Sequence, residues 1–222
     1  MPKGTLAYDL DPKIVGIIKT DFFDVKLSKS NILTIGNPPF GKNSSLAVSF
    51  FNHAATFSEA IAFILPRTFR KPSIVNRLHP SFHIIHDEIL PDNSFIHEGN
   101  PYDVPCVFQI WEWKQNVRKK ITTLSKCEDF EFTTNDNANI AVQRVGVNAG
   151  RIKHDLDVSE QSHYFIRCSD QVINVFRTLD FNDVKHNTAG NPSISKHELI
   201  SLYKKALDNT EAACYPVIKE NI

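Results

Sequence analysis

Short apolar runs, each stopping at a polar or turn-forming cluster, set the rhythm of the first half of the chain. Leu6 to Tyr8 runs into Asp9-Leu10-Asp11-Pro12, Ile17-Ile18 leads to Asp21, and Ile32 to Ile35 stops at Gly36-Asn37-Pro38-Pro39. Each reads as a strand with polar residues at its C-terminal end. Leu46, Phe50, Phe51 and Ala54 then recur at helical spacing over 46–57, with Ser44 or Ser45 as N-cap. Ala60 to Leu65 is a continuous apolar run ended by Pro66, the pattern of a fully buried parallel strand, and 69–78 fits a short helix starting near Pro72. Phe82 to Leu90 and Val104 to Trp113 complete the set as strands. Strands alternating with helices predict an open, mostly parallel sheet with helices on its faces.

The pattern changes near Gln115. Lys and Arg cluster at 118–120, and the stretch to Asn139 is polar, with Thr133-Thr134-Asn135-Asp136-Asn137 a turn signal. A boundary there separates a first domain, 1–114, from a smaller α+β region, 115–222. In the latter, Ile140 to Val147 and His163 to Cys168 read as strands and Asp170 to Leu179 as a short helix. A final helix, 195–207, is capped by Ser195 with Glu198 three residues on.

Composition narrows the class. Hydrophobic residues make up 41% and charged residues 23% of 222, which suits one good-sized globular domain with an appendage. Lys+Arg equals Asp+Glu at 25 each, so bulk charge gives no argument for a polyanionic partner, and any basic patch is local. The candidates are Arg67, Arg70, Lys71 and Arg77, and a second group at Arg118, Lys119 and Lys120; ordinary solvated charge explains them equally well. Cys106, Cys127, Cys168 and Cys214 have no metal-ligand spacing, so no metal site is expected and a reducing cytoplasm fits. The longest apolar run is too short to cross a bilayer, and no membrane association is expected.

Asn37-Pro38-Pro39-Phe40, after a strand-like run, carries the chemistry. Two consecutive prolines fix two φ angles and remove two N–H donors, giving a stiff loop whose carbonyls are free to accept. The Asn37 side-chain oxygen and the Pro38 carbonyl form a rigid pair of acceptors for an exocyclic NH2 group, and the ring of Phe40 offers a stacking face. That arrangement suits a flipped adenine, whose amine lone pair is freed for attack when both N–H groups are gripped. The alternative is a proline-stiffened strand-to-helix turn with no chemistry.

At these residues the chain resembles the class I, N6-adenine-type methyltransferases that use S-adenosylmethionine, over about residues 5 to 113. The resemblance implies a Rossmann-like α/β sheet and a catalytic loop of Asn37, Pro38, Pro39 and Phe40. Tyr8-Asp9-Leu10-Asp11-Pro12 is similar to the family's second motif, so Asp9 is expected on the cofactor's ribose hydroxyls, unless it is a turn or helix-cap aspartate. Thr20-Asp21-Phe22-Phe23 resembles the third motif, with Asp21 on the cofactor's adenine amine and Phe22 packed on that ring; core packing is the alternative for Phe22. Ile64-Leu65-Pro66 resembles the fifth-strand segment, and Phe95 falls where a second aromatic meets the target base.

The resemblance fails at the family's first strand and first glycine-rich loop, for only eight residues precede Asp9. The sheet is therefore expected to lack its first strand, leaving two apolar edges, and S-adenosylmethionine is expected to bind weakly or not at all. The implied activity is methyl transfer to the N6 amine of adenine in double-stranded DNA. RNA adenine, a protein glutamine amide, and a binding module without a donor site are the alternatives. Residues 115–222 would then recognise the target through Arg144, Arg151, Lys153, Arg167 and Arg177, with Tyr164 for stacking, though each is equally an ordinary surface residue. The Gly190-Asn191-Pro192-Ser193 turn is loosely similar to recognition regions of restriction-modification enzymes. His83 and His86 are read as satisfied residues on opposite faces of a strand rather than as metal ligands.

Overall fold

The computed structural model describes residues 4–28 and 31–214, the last five by backbone alone. They fall into two compact units, Met1–Ile121 and Thr122–Ile222. Among the described residues, no helix is long and apolar enough to cross a membrane.

The first unit holds β1 (Tyr8–Asp9), β2 (Ile18–Lys19), β3 (Leu33–Gly36), α1 (Ser45–Ala54), β4 (Ala60–Pro66), α2 (Pro72–Val75), β5 (Phe82–Ile89), β6 (Phe95–His97), β7 (Asn100–Tyr102) and β8 (Cys106–Trp113). These strands form three sheets: the pair β1-β2, the four strands β3-β4-β8-β5, and the hairpin β6-β7. An open, mostly parallel sheet is not what forms. In the four-stranded sheet only β3 and β4 are parallel, while β8 runs antiparallel to both β4 and β5. The cause is the order of the chain: it lays β5 at the far edge first, then returns through the β6-β7 hairpin to insert β8 between β5 and β4. Such a return needs no helical crossover and reverses the strand direction.

One face of this sheet carries the core. Ala47, Val48, Phe51 and Ala54, on one side of α1, pack with Ile61, Phe63 and Leu65 of β4 and with Val107 and Trp111 of β8. Alternation along β4 puts those three residues on a single face. Ser44 occupies the N-cap position of α1, one of the two expected, but does not cap it with a hydrogen bond. It takes a left-handed conformation, and its Oγ instead meets Thr68 Oγ1 at 2.7 Å. The helix expected over 69–78 is divided: Arg67–Arg70 is a 3-10 turn, and α2 starts with Pro72 in its first turn.

Residues 115–121, assigned from sequence to the second region, belong to the first unit. Arg118 donates to the carbonyls of Phe82, Val75, Leu78 and His79 and lies 5.4 Å from the Trp111 ring centre. Burial lowers its pKa from the ordinary value. The Asn76 amide exchanges two hydrogen bonds, each of 2.9 Å, with the Ile121 backbone. Strict alternation also fails in β5, where the register shifts between Ile84 and His86, so the opposite-faces argument for the two histidines does not apply. His83 Nε2 meets the Asn116 carbonyl at 2.8 Å and His86 meets Glu88 at 3.2 Å.

The second unit is a four-stranded antiparallel sheet with helices. Its strands β9 (Phe130–Thr133), β10 (Ile140–Gln143), β11 (Ile152–Lys153) and β12 (His163–Cys168) are ordered β11-β10-β12-β9. Its helices are α3 (Asp170–Thr178), α4 (Asn182–Lys185) and α5 (Lys196–Cys214). β9 lies in the stretch read as polar, yet Phe130 and Phe132 alternate onto the face that packs with Phe176 and Tyr203. β10 stops at Gln143 because Gly146, at φ +98°, turns the chain. The capping box of α5 forms as expected: Glu198 N–H donates to Ser195 Oγ at 3.2 Å, and Ser195 N–H donates to Glu198 Oε2 at 2.7 Å.

Candidate functional site

β3 delivers Asn37-Pro38-Pro39-Phe40 at its C-terminal end, and the residues that follow bend the chain sharply into α1. Gly41 sits at φ +67°, and Asn43 and Ser44 both have positive φ, at 52° and 58°. A side chain on Gly41 would place its Cβ 2.7 Å from Leu46 Cβ, so only glycine fits. The Phe40 carbonyl accepts from Ala47 N–H at 3.2 Å, tying the loop to the first turn of α1. Pro38 is buried and Asn37 is exposed. Among the described residues neither the Asn37 amide nor the Pro38 carbonyl has a hydrogen-bond partner.

A cleft of about 400 Å³ opens beside this loop. Tyr8, Asp9 and Leu10 at the end of β1 form one wall, with Thr20, Asp21 and Phe22 after β2. Thr34 to Pro39 form the facing wall, and Phe50 of α1 and Phe63 of β4 close the space. The Thr20 N–H to Asp9 carbonyl bond, 3.0 Å, locks the two carboxylate-bearing turns together. Six of the eight residues singled out from sequence therefore share one concavity: Asp9, Asp21, Phe22, Asn37, Pro38 and Pro39.

Two do not. Phe40 packs against the first core cluster and does not line the cleft. Phe95 lies in β6, opposite Tyr102 in the hairpin, also outside the cleft. The aromatic lining that sequence reasoning missed is Phe63 and Phe50, the latter with its ring stacked on Phe22 at 5.0 Å between centroids and 9° between planes. The helical spacing of Phe50 gave it a core reading; only its pairing with Phe22 places it at the cleft.

Local structure also uses both carboxylates. Asp9 Oδ1 accepts from Asp11 N–H at 2.7 Å, and Asp21 Oδ1 caps the 3-10 turn Phe22–Asp24 by accepting from Phe23 N–H at 3.0 Å. Each bond holds its carboxylate in a fixed orientation. The second oxygen of each makes no hydrogen bond among the described residues.

A larger concavity, about 770 Å³, is lined by Phe69, Arg70, Asp87, Gln109 and Trp111 among others. A chain of its polar groups pairs off: Trp111 Nε1 donates to Gln109 Oε1 at 3.0 Å, Gln109 Nε2 donates to Asp87 Oδ1 at 3.0 Å, and Asp87 Oδ2 pairs with Arg70 at 2.8 Å, while the buried Arg70 Nε has no hydrogen-bond partner among the described residues. Arg70 and Arg118, both taken from sequence as possible basic-patch residues, are thus engaged within the unit. The smaller cleft is the better site because it gathers free acceptors, two carboxylates each with an unbonded oxygen, and the proline-stiffened loop. No family model, no curated protein and no solved structure matches this chain.

Proposed function

We propose that the first unit is a Rossmann-related methyl-transfer domain acting on the N6 amine of adenine in DNA, with the cleft between β1 and β3 as its active site. One observation carries the reading: Asp9, Asp21 and Asn37-Pro38, distant in sequence, line a single cleft of about 400 Å³. That size lies within the range of about 300–1,000 Å³ usual for small-molecule pockets. The cleft also lies at strand C-terminal ends, where α/β folds bind ligands.

The residues present fit S-adenosylmethionine in part. Asp9 has a carboxylate oxygen left for ribose hydroxyls, and Asp21 has one left for an adenine amine. Phe22 offers one ring face only, since Phe50 stacks on the other. Bound there, the cofactor would supply an electron-poor methyl carbon, with its sulfonium sulfur as the leaving group. The protein's own part is positional. Asn37 Oδ1 and the Pro38 carbonyl accept the two N–H groups of the target amine, which turns its lone pair toward the methyl carbon. The proton lost from the methylated amine passes to water at the exposed Asn37. Because Phe40 is packed in the core, stacking on the target base falls to another ring or to a rearranged Phe40.

A second reading, a nucleic-acid-binding module without transfer, is favoured by the local engagement of both carboxylates. Calorimetric titration with S-adenosylmethionine, followed by tritiated methyl transfer to DNA, RNA and a glutamine peptide, separates the two. Transfer to DNA that Asn37→Ala abolishes supports the enzyme; nucleic-acid binding with no transfer to any substrate supports the module.

A further inference from the structure

The second unit sorts the basic residues suggested by sequence. Arg167 is neutralised by Glu131 at 2.9 Å, and Arg177 is hydrogen-bonded to Asn174 at 3.1 Å. Arg144 is different. Its guanidinium lies 4.9 Å from the centre of the Tyr164 ring, and its buried Nε has no hydrogen-bond partner. Lys196, far away in sequence and exposed, holds its ammonium 4.4 Å from the Phe132 ring centre and 5.9 Å from that of Tyr164. Phe132 and Tyr164 themselves meet edge to face at 5.4 Å. Neither cation makes an ion pair among the described residues.

The platform is rigid. Tyr164 O–H donates to the Ile194 carbonyl at 3.2 Å, Ile194 N–H donates to the Arg144 carbonyl at 2.9 Å, and Arg144 N–H donates to the Ser162 carbonyl at 2.8 Å. The nearby carboxylate of Glu198 is occupied by the capping box of α5. Two cations are thus held over one aromatic pair, their positions set by ring contacts rather than by acidic partners. Cation–π contact orders a side chain without cancelling its charge. A guanidinium fork so placed suits bidentate phosphate binding, and a lysine that shares the Tyr164 ring with it suits a second phosphate as a point charge.

We propose that Arg144 and Lys196 grip adjacent phosphates of a nucleic-acid strand, making this face of the second unit the backbone clamp of the protein. The inference deepens the reading of the chain as one that acts on nucleic acid, and it stands on the second unit alone. The clamp fixes position and carries no base sequence information.

The test is fluorescence anisotropy of the full chain with a labelled DNA duplex, its single strand and an RNA of the same sequence, titrated across salt concentrations. In the wild-type protein log Kobs falls linearly with log salt. Arg144→Gln and Lys196→Gln each reduce the slope by about 0.9 for duplex, or about 0.7 for a single strand, and weaken binding on the order of three- to tenfold. Arg167→Gln, which removes a cation already paired, leaves the slope unchanged. Arg144→Lys keeps the slope while losing part of the affinity, a result that simple unfolding would not produce. Wild-type slopes in both glutamine variants overturn the clamp, as does absence of binding to all three nucleic acids. Loss of methyl transfer with these slopes intact sinks only the proposed catalysis.

Discussion

Replacing Gly41 with alanine tests whether the turn after Asn37-Pro38-Pro39-Phe40 holds the candidate site in shape. Gly41 has φ +67° and ψ 176°, a region essentially closed to residues with a Cβ, and occupying it costs about 1–3 kcal/mol. The added Cβ would meet Leu46 Cβ at 2.7 Å and the Leu46 backbone nitrogen at 3.1 Å, where ordinary carbon contacts lie at about 3.5–4.0 Å. Neither atom is the end of a flexible side chain, so relief requires moving the first turn of α1, and overpacking of this kind adds about 1–3 kcal/mol. Together the two effects remove about 2–6 kcal/mol from a unit whose whole stability is on the order of 5–15 kcal/mol.

Both tryptophans of the chain, Trp111 and Trp113, lie in β8, so urea unfolding followed by tryptophan fluorescence reports the first unit. With a urea dependence of about 2 kcal/mol per M, the midpoint of Gly41→Ala falls by about 1–3 M. Gly36→Ala is the control. It ends β3 just before the loop, without positive φ, its Cβ would meet only the Phe63 ring at 3.3 Å, and a cost of about 1 kcal/mol or less follows. A midpoint for Gly41→Ala within about 0.3 M of wild type, or equal to that of Gly36→Ala, refutes the argument.

Asn37→Ala removes one of two acceptors for the target amine, and methyl-transfer turnover falls by about 10²–10³-fold if that acceptor acts in the transition state; an unchanged rate excludes the role. Gln109→Leu leaves the Trp111 indole N–H buried and unpaired, which costs about 1–3 kcal/mol and shows as a lower midpoint in the same urea assay. Burial pushes the Cys106 thiol up to about 11 from 9.0, with Arg67 opposing and Asp103 adding to the rise. The folded protein therefore keeps its proton where the unfolded chain loses it. The stabilisation is complete below about pH 9 and is lost as pH rises through about 11, and pH-dependent unfolding monitored by tryptophan fluorescence must decline across that window. At the sheet edge, Leu33 and Ile35 are 53% and 71% exposed, so Leu33→Lys should raise the concentration at which the chain self-associates in analytical ultracentrifugation.

Strand and helix positions were readable where periodicity was strong. α1, β4 and β12 follow from apolar spacing alone, and the Ser195–Glu198 capping box marks the start of α5 two side chains before any packing is considered. Sheet direction was not readable, because a run such as Cys106–Trp113 has the same composition whether its neighbours run with it or against it. β9 was lost because its inward residues, Phe130 and Phe132, alternate with Glu131 and Thr133 inside a polar surround. At the site, the loop prolines stood out by their local chemistry, and the two aspartates only through the resemblance of their surroundings to methyltransferase motifs. Phe50 did not, since a phenylalanine at helical spacing reads as core until its stacking on Phe22 is seen. Phe40 shows the converse: a ring beside a candidate loop was assigned to ligand, and packing with the core took it instead.

The same edge that leaves Leu33 and Ile35 exposed also frames the cleft, and this links ligand binding to stability. Within a parallel pair, alternate residues direct their N–H and C=O groups to one neighbour. The Ile32 carbonyl accepts from Ala60 N–H at 3.2 Å, so Ile32, Thr34 and Gly36 face β4 while Leu33 and Ile35 direct their backbone groups away from it. β3 is therefore held from one side only, and the aim of Asn37 rests on four register pairs with β4 and on the proline rings. A ligand seated between β1 and β3 adds contacts on the unsupported side, contacts that the unfolded chain does not have. Linkage then requires it to raise the unfolding midpoint of the first unit, by about 2.7 kcal/mol at a hundredfold excess over its dissociation constant. A molecule that binds the chain without raising that midpoint is binding elsewhere.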